Sequence, residues 1–107
     1  MTDDRASAAD QYKLCLFITG STPRSTRAIE NMRRICAENL EGRYQLEVID
    51  VYQNPEATRE FQIVATPTLV KILPEPLRRI IGDLSDEERV LAGLDLSPLP
   101  PDHRPPA

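Results

Sequence analysis

The chain has 107 residues, 40% of them hydrophobic, and this length predicts one small domain with a single core. Its 13 basic and 17 acidic side chains give a formal net charge of -4, which argues against general affinity for nucleic acid or acidic membranes, because both need a concentrated basic surface. No apolar run approaches the roughly 18 residues that span a bilayer, and the polar start lacks the order of a secretion signal, so we expect a cytoplasmic protein.

The two ends of the chain differ in composition from its middle. Residues 1–11 are polar, and residues 97–107 hold five of the ten prolines together with His103, the only histidine. Both ends are typical of flexible tails. We therefore predict one folded domain over residues 12–96, without a mechanism that needs a buried histidine base.

The first half of this domain predicts a β-α-β unit. The continuous apolar run Leu14–Ile18 is typical of a strand covered on both faces. Thr22 as N-cap and Pro23 in the first turn predict a helix, and apolar residues then recur at helical spacing. Tyr44–Val51 predicts the second strand, which such a unit places parallel to the first.

A short helix and a third strand follow. Asn54 and Pro55 predict the helix by the same pattern of a cap followed by proline, with its end near position 61 or 62. Pro67 introduces the third strand, which we predict over residues 66–73.

A hairpin and a final helix complete the domain. Pro74 and Pro76 predict a turn, because neither residue can donate a hydrogen bond to a sheet, and residues 77–81 return from it as a fourth strand. Ser85, as N-cap of a capping box, predicts a helix through Leu94. The predicted order is β-α-β-α-β-β-α, an α/β fold.

That order, with a proline before the third strand, resembles the thioredoxin fold. Val64–Leu69 is similar to the cis-proline strand of thioredoxins, and the resemblance implies a cis bond before Pro67. The loop after the first strand carries Cys-x-x-Cys in thioredoxins but reads Ser21–Arg24 here. Disulfide exchange needs a thiolate, so the redox chemistry of the fold is missing from this loop.

Three side chains keep a redox or glutathione-linked function open as an alternative. Cys15 and Cys36 are interpreted as small buried hydrophobes, and the alternative is a redox role. Ser21 is interpreted as a capping hydroxyl, and the alternative is binding of an anion or of glutathione, as in serine-type relatives of this fold. The chain would then be a glutathione-binding or stress-response protein without a Cys-x-x-Cys site.

Further motifs make the resemblance more specific. Six segments are similar to the KaiB family of bacterial circadian clock proteins: Gly20–Ser25, Val48–Pro55, Thr66–Leu69, Lys71–Pro74, Arg78–Asp86 and Gly93–Leu96. The resemblance covers residues 12–96, and the Ile-Ile-Gly-Asp-Leu-Ser-Asp stretch is a specific signature within it.

What this resemblance implies is a non-enzymatic regulator without a cofactor. Members of the family bind the hexameric ATPase KaiC, modulate its cycle through a fold switch and, in the full oscillator, help to sequester KaiA. One state of the family is a βαββααβ tetramer, and the other is a thioredoxin-like monomer that binds KaiC, with the order βαβαββα. A sensor detached from a larger kinase stays open as a third interpretation.

The resemblance also implies partner-binding residues. Arg27, Tyr44 and Arg79 match positions that the family places on or near partner surfaces, and Arg78 lies beside them; arginine suits bidentate pairing with carboxylates. The alternative for each arginine is a solvated surface charge. Positions 47 and 62 carry Glu and Gln where cyanobacterial members typically carry Lys, which favours a source outside the cyanobacteria.

Five residues are expected to set the balance between the two folds. In the last helix Gly93 costs about 1 kcal/mol relative to Ala, and Asp95 near its negative end costs about 0.3–1 kcal/mol. We therefore expect Gly93→Ala with Asp95→Arg to shift the population toward the helical form. If switching requires isomerisation at Pro67, Pro74 or Pro76, it takes roughly tens to hundreds of seconds.

Overall fold

The structure, a computed structural model, describes residues 11–96. Within that range strands and helices follow one another in the predicted order. They are β1 (Tyr12–Ile18), α1 (Pro23–Asn39), β2 (Tyr44–Asp50), α2 (Pro55–Glu60), β3 (Thr68–Leu73), β4 (Arg78–Ile81) and α3 (Glu87–Gly93). No helix in this range is both long and apolar enough to cross a membrane. Apart from residue 11, the two predicted tails lie outside the described residues.

The strands form one mixed sheet in the order β2-β1-β3-β4. β1 and β2 are parallel and pair from Tyr12 opposite Tyr44 to Ile18 opposite Asp50, which confirms the predicted β-α-β unit. β3 runs antiparallel to both β1 and β4. The outer strands of the sheet are therefore β2 and β4.

Alternate residues of β1 supply two cores on opposite faces of the sheet. Leu14 and Leu16 belong to the larger core, which α1 and α3 cover. Cys15 and Phe17 belong to the smaller core, where α2 lies and where the Phe17 ring is 5.8 Å from that of Phe61. The continuous apolar run in the sequence thus reflects a strand that is buried on both faces.

Two of the three helices start where the sequence predicts, and only the N-cap of α3 differs. Thr22 caps α1 as predicted and accepts a hydrogen bond from the Ser25 backbone N–H at 3.2 Å. α3 is capped by Asp86 and not by Ser85; the carboxylate accepts from the backbone N–H three residues on, at 3.2 Å. Both residue types are good caps, so the sequence alone does not choose between them. Asn54 precedes α2 but makes no capping bond with its side chain.

The three prolines that flank β3 follow cis peptide bonds. These bonds are Thr66–Pro67, Leu73–Pro74 and Glu75–Pro76. The bond before Pro67 agrees with what the thioredoxin resemblance implies.

Candidate functional site

The loop between β1 and α1 occupies the position at which thioredoxins carry their thiols, and here hydroxyl groups hold it in place. Ser25 is buried, and its Oγ accepts from the Thr19 backbone N–H at 3.1 Å and from the Thr22 hydroxyl at 2.8 Å. The Thr19 hydroxyl is hydrogen-bonded to that of Thr66, which joins the loop to the segment before β3. Ser21 is exposed, and the capping role considered for it belongs to Thr22.

The two cysteines are free and buried, which confirms their interpretation as small apolar core residues. Cys36 is 0% exposed, and desolvation by burial raises the pKa of its thiol to about 12. Burial, and next the charge of Glu47, raise the pKa of the Cys15 thiol. Because the thiolate is the reactive species, neither cysteine is placed for redox chemistry in this fold.

A buried lysine, which the sequence analysis did not single out, links β3 to two other parts of the fold. Lys71 is 0% exposed. Its ammonium group donates to the backbone carbonyls of Pro74 and Pro76, the latter at 2.8 Å, and lies 3.1 Å from Asp95 Oδ2. A buried ammonium needs such partners, because burying an unpaired charge is expensive.

Asp95 faces two cations, which oppose the cost expected for a carboxylate at a helix end. The residue lies beyond the last turn of α3 with φ +62°, and Arg78 Nε lies 3.3 Å from its Oδ2. Hydrogen bonds from Lys71 and then from Arg78 hold the pKa of the Asp95 carboxyl below its usual value of 3.8. These contacts stabilise the carboxylate in this fold and oppose the helix-end cost expected for it, which stays a prediction.

Gly93 is packed closely against β4, which changes the expectation for its substitution. A Cβ at this position would lie 2.4 Å from Ile80 Cδ1 and 2.8 Å from Ile80 Cγ1. This steric contact opposes the greater helix propensity of alanine. Ile80 has to move before alanine at position 93 can stabilise the helix. The population shift expected for Gly93→Ala with Asp95→Arg stays a prediction. The structure opposes it at both positions, because an alanine at position 93 would contact Ile80 and Asp95→Arg would remove the ion pairs of Asp95.

Arg27 of α1 is paired across the surface of the fold. Its Nε lies 3.3 Å from Asp83 Oδ2, in the segment between β4 and α3. Hydrogen bonds from Ser85 and then from Arg27 lower the pKa of the Asp83 carboxyl. The Arg27 side chain is still 54% exposed, so it remains accessible to a partner.

Comparison with known proteins decides the family. A family model described as the KaiB domain matches residues 15–96. The chain belongs to the KaiB family. The circadian clock oscillator protein KaiB of Prochlorococcus marinus is 58% identical over 85 residues, which cover 79% of this chain and 73% of that protein. The KaiB of Microcystis aeruginosa is 54% identical over 85 residues, covering 79% and 82%.

Solved structures place this KaiB-family chain among thioredoxin-like folds. The N-terminal domain of SasA from Synechococcus elongatus has a TM-score of 0.67 and 28% identity, with 81% of this chain and 86% of that chain covered. Mitochondrial thioredoxin 3 from Saccharomyces cerevisiae has a TM-score of 0.65 and 17% identity, covering 88% and 87%. The second likeness shows the fold alone. The predicted family, the clock-regulator class and the thioredoxin-like fold are confirmed.

The four partner-binding residues expected from the KaiB resemblance do not form one cluster. Arg78 and Arg79 are neighbours on β4, yet their side chains point to opposite faces: Arg78 reaches Asp95 beside α3, and Arg79 donates to the Phe61 carbonyl at 3.0 Å beside α2. Tyr44 packs against the larger core from β2, at the other edge of the sheet. Successive side chains of a strand point to opposite faces, so their adjacent positions already predict that Arg78 and Arg79 lie on different faces.

Proposed function

We propose that this KaiB-family chain is a clock or timer regulator that binds the KaiC hexamer and modulates its phosphorylation and ATPase cycle. The observation that carries the proposal is the order βαβαββα, which is the arrangement that the family resemblance associates with KaiC binding. KaiA or a sensor kinase is a further partner where the system contains one. The proposed location is the cytoplasm.

Binding, and not chemistry of its own, is the proposed mode of action. The loop after β1 has hydroxyl groups in place of thiols, and both cysteines lie in the cores. The hydroxyls of Thr22 and Ser25 serve the cap and the loop. These contacts give the glutathione-binding alternative no specific support.

A fold switch is the proposed means of regulation. The segment from Pro67 to Asp95 contains all five residues that we assign to the switch. In the described fold, Lys71 ties two of them, Pro74 and Pro76, to a third, Asp95. The alternative βαββααβ state, self-associated as a dimer or tetramer, remains part of this proposal.

Co-migration with the cognate KaiC on size-exclusion chromatography tests the proposal. We expect a complex under at least one nucleotide condition, and a weaker one with Arg27→Ala or Arg79→Ala. Arg33→Ala, which removes another exposed arginine of α1, is the matched control and should leave the complex intact. If Arg33→Ala weakens the complex as much as Arg27→Ala, the assignment of Arg27 is wrong.

Binding assays with KaiC and with glutathione distinguish the proposed regulator from the glutathione-binding alternative. Absence of a KaiC complex under every nucleotide condition, together with glutathione binding that Ser21→Ala abolishes, would replace the proposed function by that alternative. A KaiC complex that Ser21→Ala leaves unchanged, without glutathione binding, supports the regulator.

A further inference from the structure

An open groove runs along the β4 edge of the sheet, between β4 and α3. It is lined by Leu77, Arg78, Arg79, Ile80, Arg89 and Gly93. Two arginines, Arg78 and Arg89, lie on the α3 side of the groove, whereas Arg79 points to the opposite face of β4, and none of the six lining residues is acidic. Asp95 engages Arg78, whereas the Arg89 side chain is exposed. The groove therefore favours a negatively charged ligand.

Among residues 11–96 no strand pairs with the outer edge of β4, and this edge lies beside the groove. Gly82 N–H donates to the Pro67 carbonyl at 2.9 Å, and Ile80 lies opposite Leu69 in the register. Backbone groups of an antiparallel strand face the neighbouring strand at every second residue. Those of Ile80 therefore point to β3, while those of Arg79 and Ile81 point outward, where an extended chain can pair with them.

The side chains on β4 set a pattern for such a chain. Arg78 lies on the α3 side, where Arg89 lines the same groove. On the other side Leu77 and Ile81 are 41% and 46% exposed and offer apolar surface, and Arg79 lies between them with its guanidinium turned to the Phe61 carbonyl. Because side chains of a strand alternate between faces, a chain added to β4 would present acidic residues to the groove and apolar residues to the opposite face.

We propose that the β4 edge and the groove together bind an extended acidic segment of a partner protein, which adds to the sheet as a fifth strand. Backbone hydrogen bonds supply the pairing, and carboxylates of the segment pair with Arg78 and Arg89. A nucleic acid offers the charge but neither the backbone pairing nor the apolar alternation. The proposal concerns this chain alone and does not depend on KaiC binding.

A peptide of seven residues with alternating glutamate and valine is the probe. Titrated into the 15N-labelled full chain, it should shift the amide signals of Arg79 and Ile81 more than those of β2. Arg89→Gln should weaken its binding about two- to fivefold, as expected for loss of one exposed charge pair. Arg33→Gln, on α1, is the charge-matched control and should leave the affinity unchanged.

Two competitors test the mode of binding. The same peptide with alternate backbone amides N-methylated should lose its affinity, because it cannot pair with β4; equal affinity would overturn strand addition. Single-stranded DNA of equal charge should bind much more weakly, and comparable binding at the groove would overturn the choice of a polypeptide. Absence of any shift along β4 with the unmodified peptide would overturn the proposal altogether.

Discussion

Lys71 Nζ lies 3.1 Å from Asp95 Oδ2, so a fully buried ammonium on β3 contacts the residue that follows the last turn of α3. The same group donates to the carbonyls of Pro74 and Pro76. One side chain thus joins the β3–β4 turn to the end of the last helix. Both regions belong to the segment that we assign to the fold switch.

Replacing this ammonium should destabilise the described fold. Lys71→Met keeps most of the side-chain volume but removes the ammonium donor from two carbonyls and, among the described residues, leaves the Asp95 carboxylate with Arg78 alone. We expect the free energy of unfolding to fall by about 1–3 kcal/mol, measured by urea denaturation at neutral pH. Lys13→Met, at the exposed second position of β1, is the control. Equal stability of the Lys71→Met variant and the unchanged chain would contradict the structural role of Lys71.

The carboxyl of Asp95 should make stability depend on pH in the acid range. Its pKa in the fold lies below the usual 3.8, chiefly because Lys71 and next Arg78 donate to it. Since the unfolded chain then binds more protons, this contribution is fully present above the unfolded pKa and is lost as the pH falls through the folded pKa. Urea unfolding between about pH 6 and pH 2 should show the loss, and Asp95→Asn should reduce it.

Two further variants sharpen the pH experiment. Asp83→Asn should also reduce the acid loss, because hydrogen bonds from Ser85 and Arg27 lower the pKa of the Asp83 carboxyl in the same direction. Glu30→Gln removes one negative charge from the exposed face of α1 and controls for net charge. An acid profile that is identical for Asp95→Asn and Glu30→Gln would show that the Lys71–Asp95 contact does not stabilise the carboxylate.

Gly93 and Ile80 should be energetically coupled. Gly93→Ala alone brings a Cβ against the Ile80 side chain, and Ile80→Val removes the Cδ1 atom that it would meet first, at 2.4 Å. The double variant should therefore be more stable than the sum of the single changes predicts, by about 0.5–3 kcal/mol. Unfolding free energies of the four proteins measure this, with amide chemical shifts confirming that all share the same fold. Strict additivity would contradict the close packing of α3 on β4.

Local signals in the sequence predicted the elements of the fold well. Thr22 before Pro23 acts over one helical turn, and the apolar run of β1 needs only the rule that strands covered on both faces lack alternation. The sequence predicts the start of α3 one residue early because Ser85 and Asp86 are both good caps. Such a choice depends on which backbone N–H groups each side chain can reach.

The site was predicted less well because its contacts are distant in the chain. Lys71 reads as one polar residue in an apolar strand, and its pairing with Asp95 follows only from the packing of α3 on the sheet. The same packing gives Asp95 two ion-pair partners, which oppose the helix-end cost that the sequence predicts for it. Arg78 and Arg79 are adjacent in the sequence, but alternation along β4 places their side chains on opposite faces.

The hydroxyl loop after β1 allows a direct test of its structural role. Thr22→Ala removes the acceptor for the Ser25 N–H and the donor to Ser25 Oγ. We expect the free energy of unfolding to fall by about 0.5–2 kcal/mol, the usual effect of losing an N-cap. Ser21→Ala, one residue earlier and exposed, should change it by less than about 0.5 kcal/mol. A larger loss of unfolding free energy for Ser21→Ala than for Thr22→Ala would mean that Ser21 and not Thr22 holds the loop.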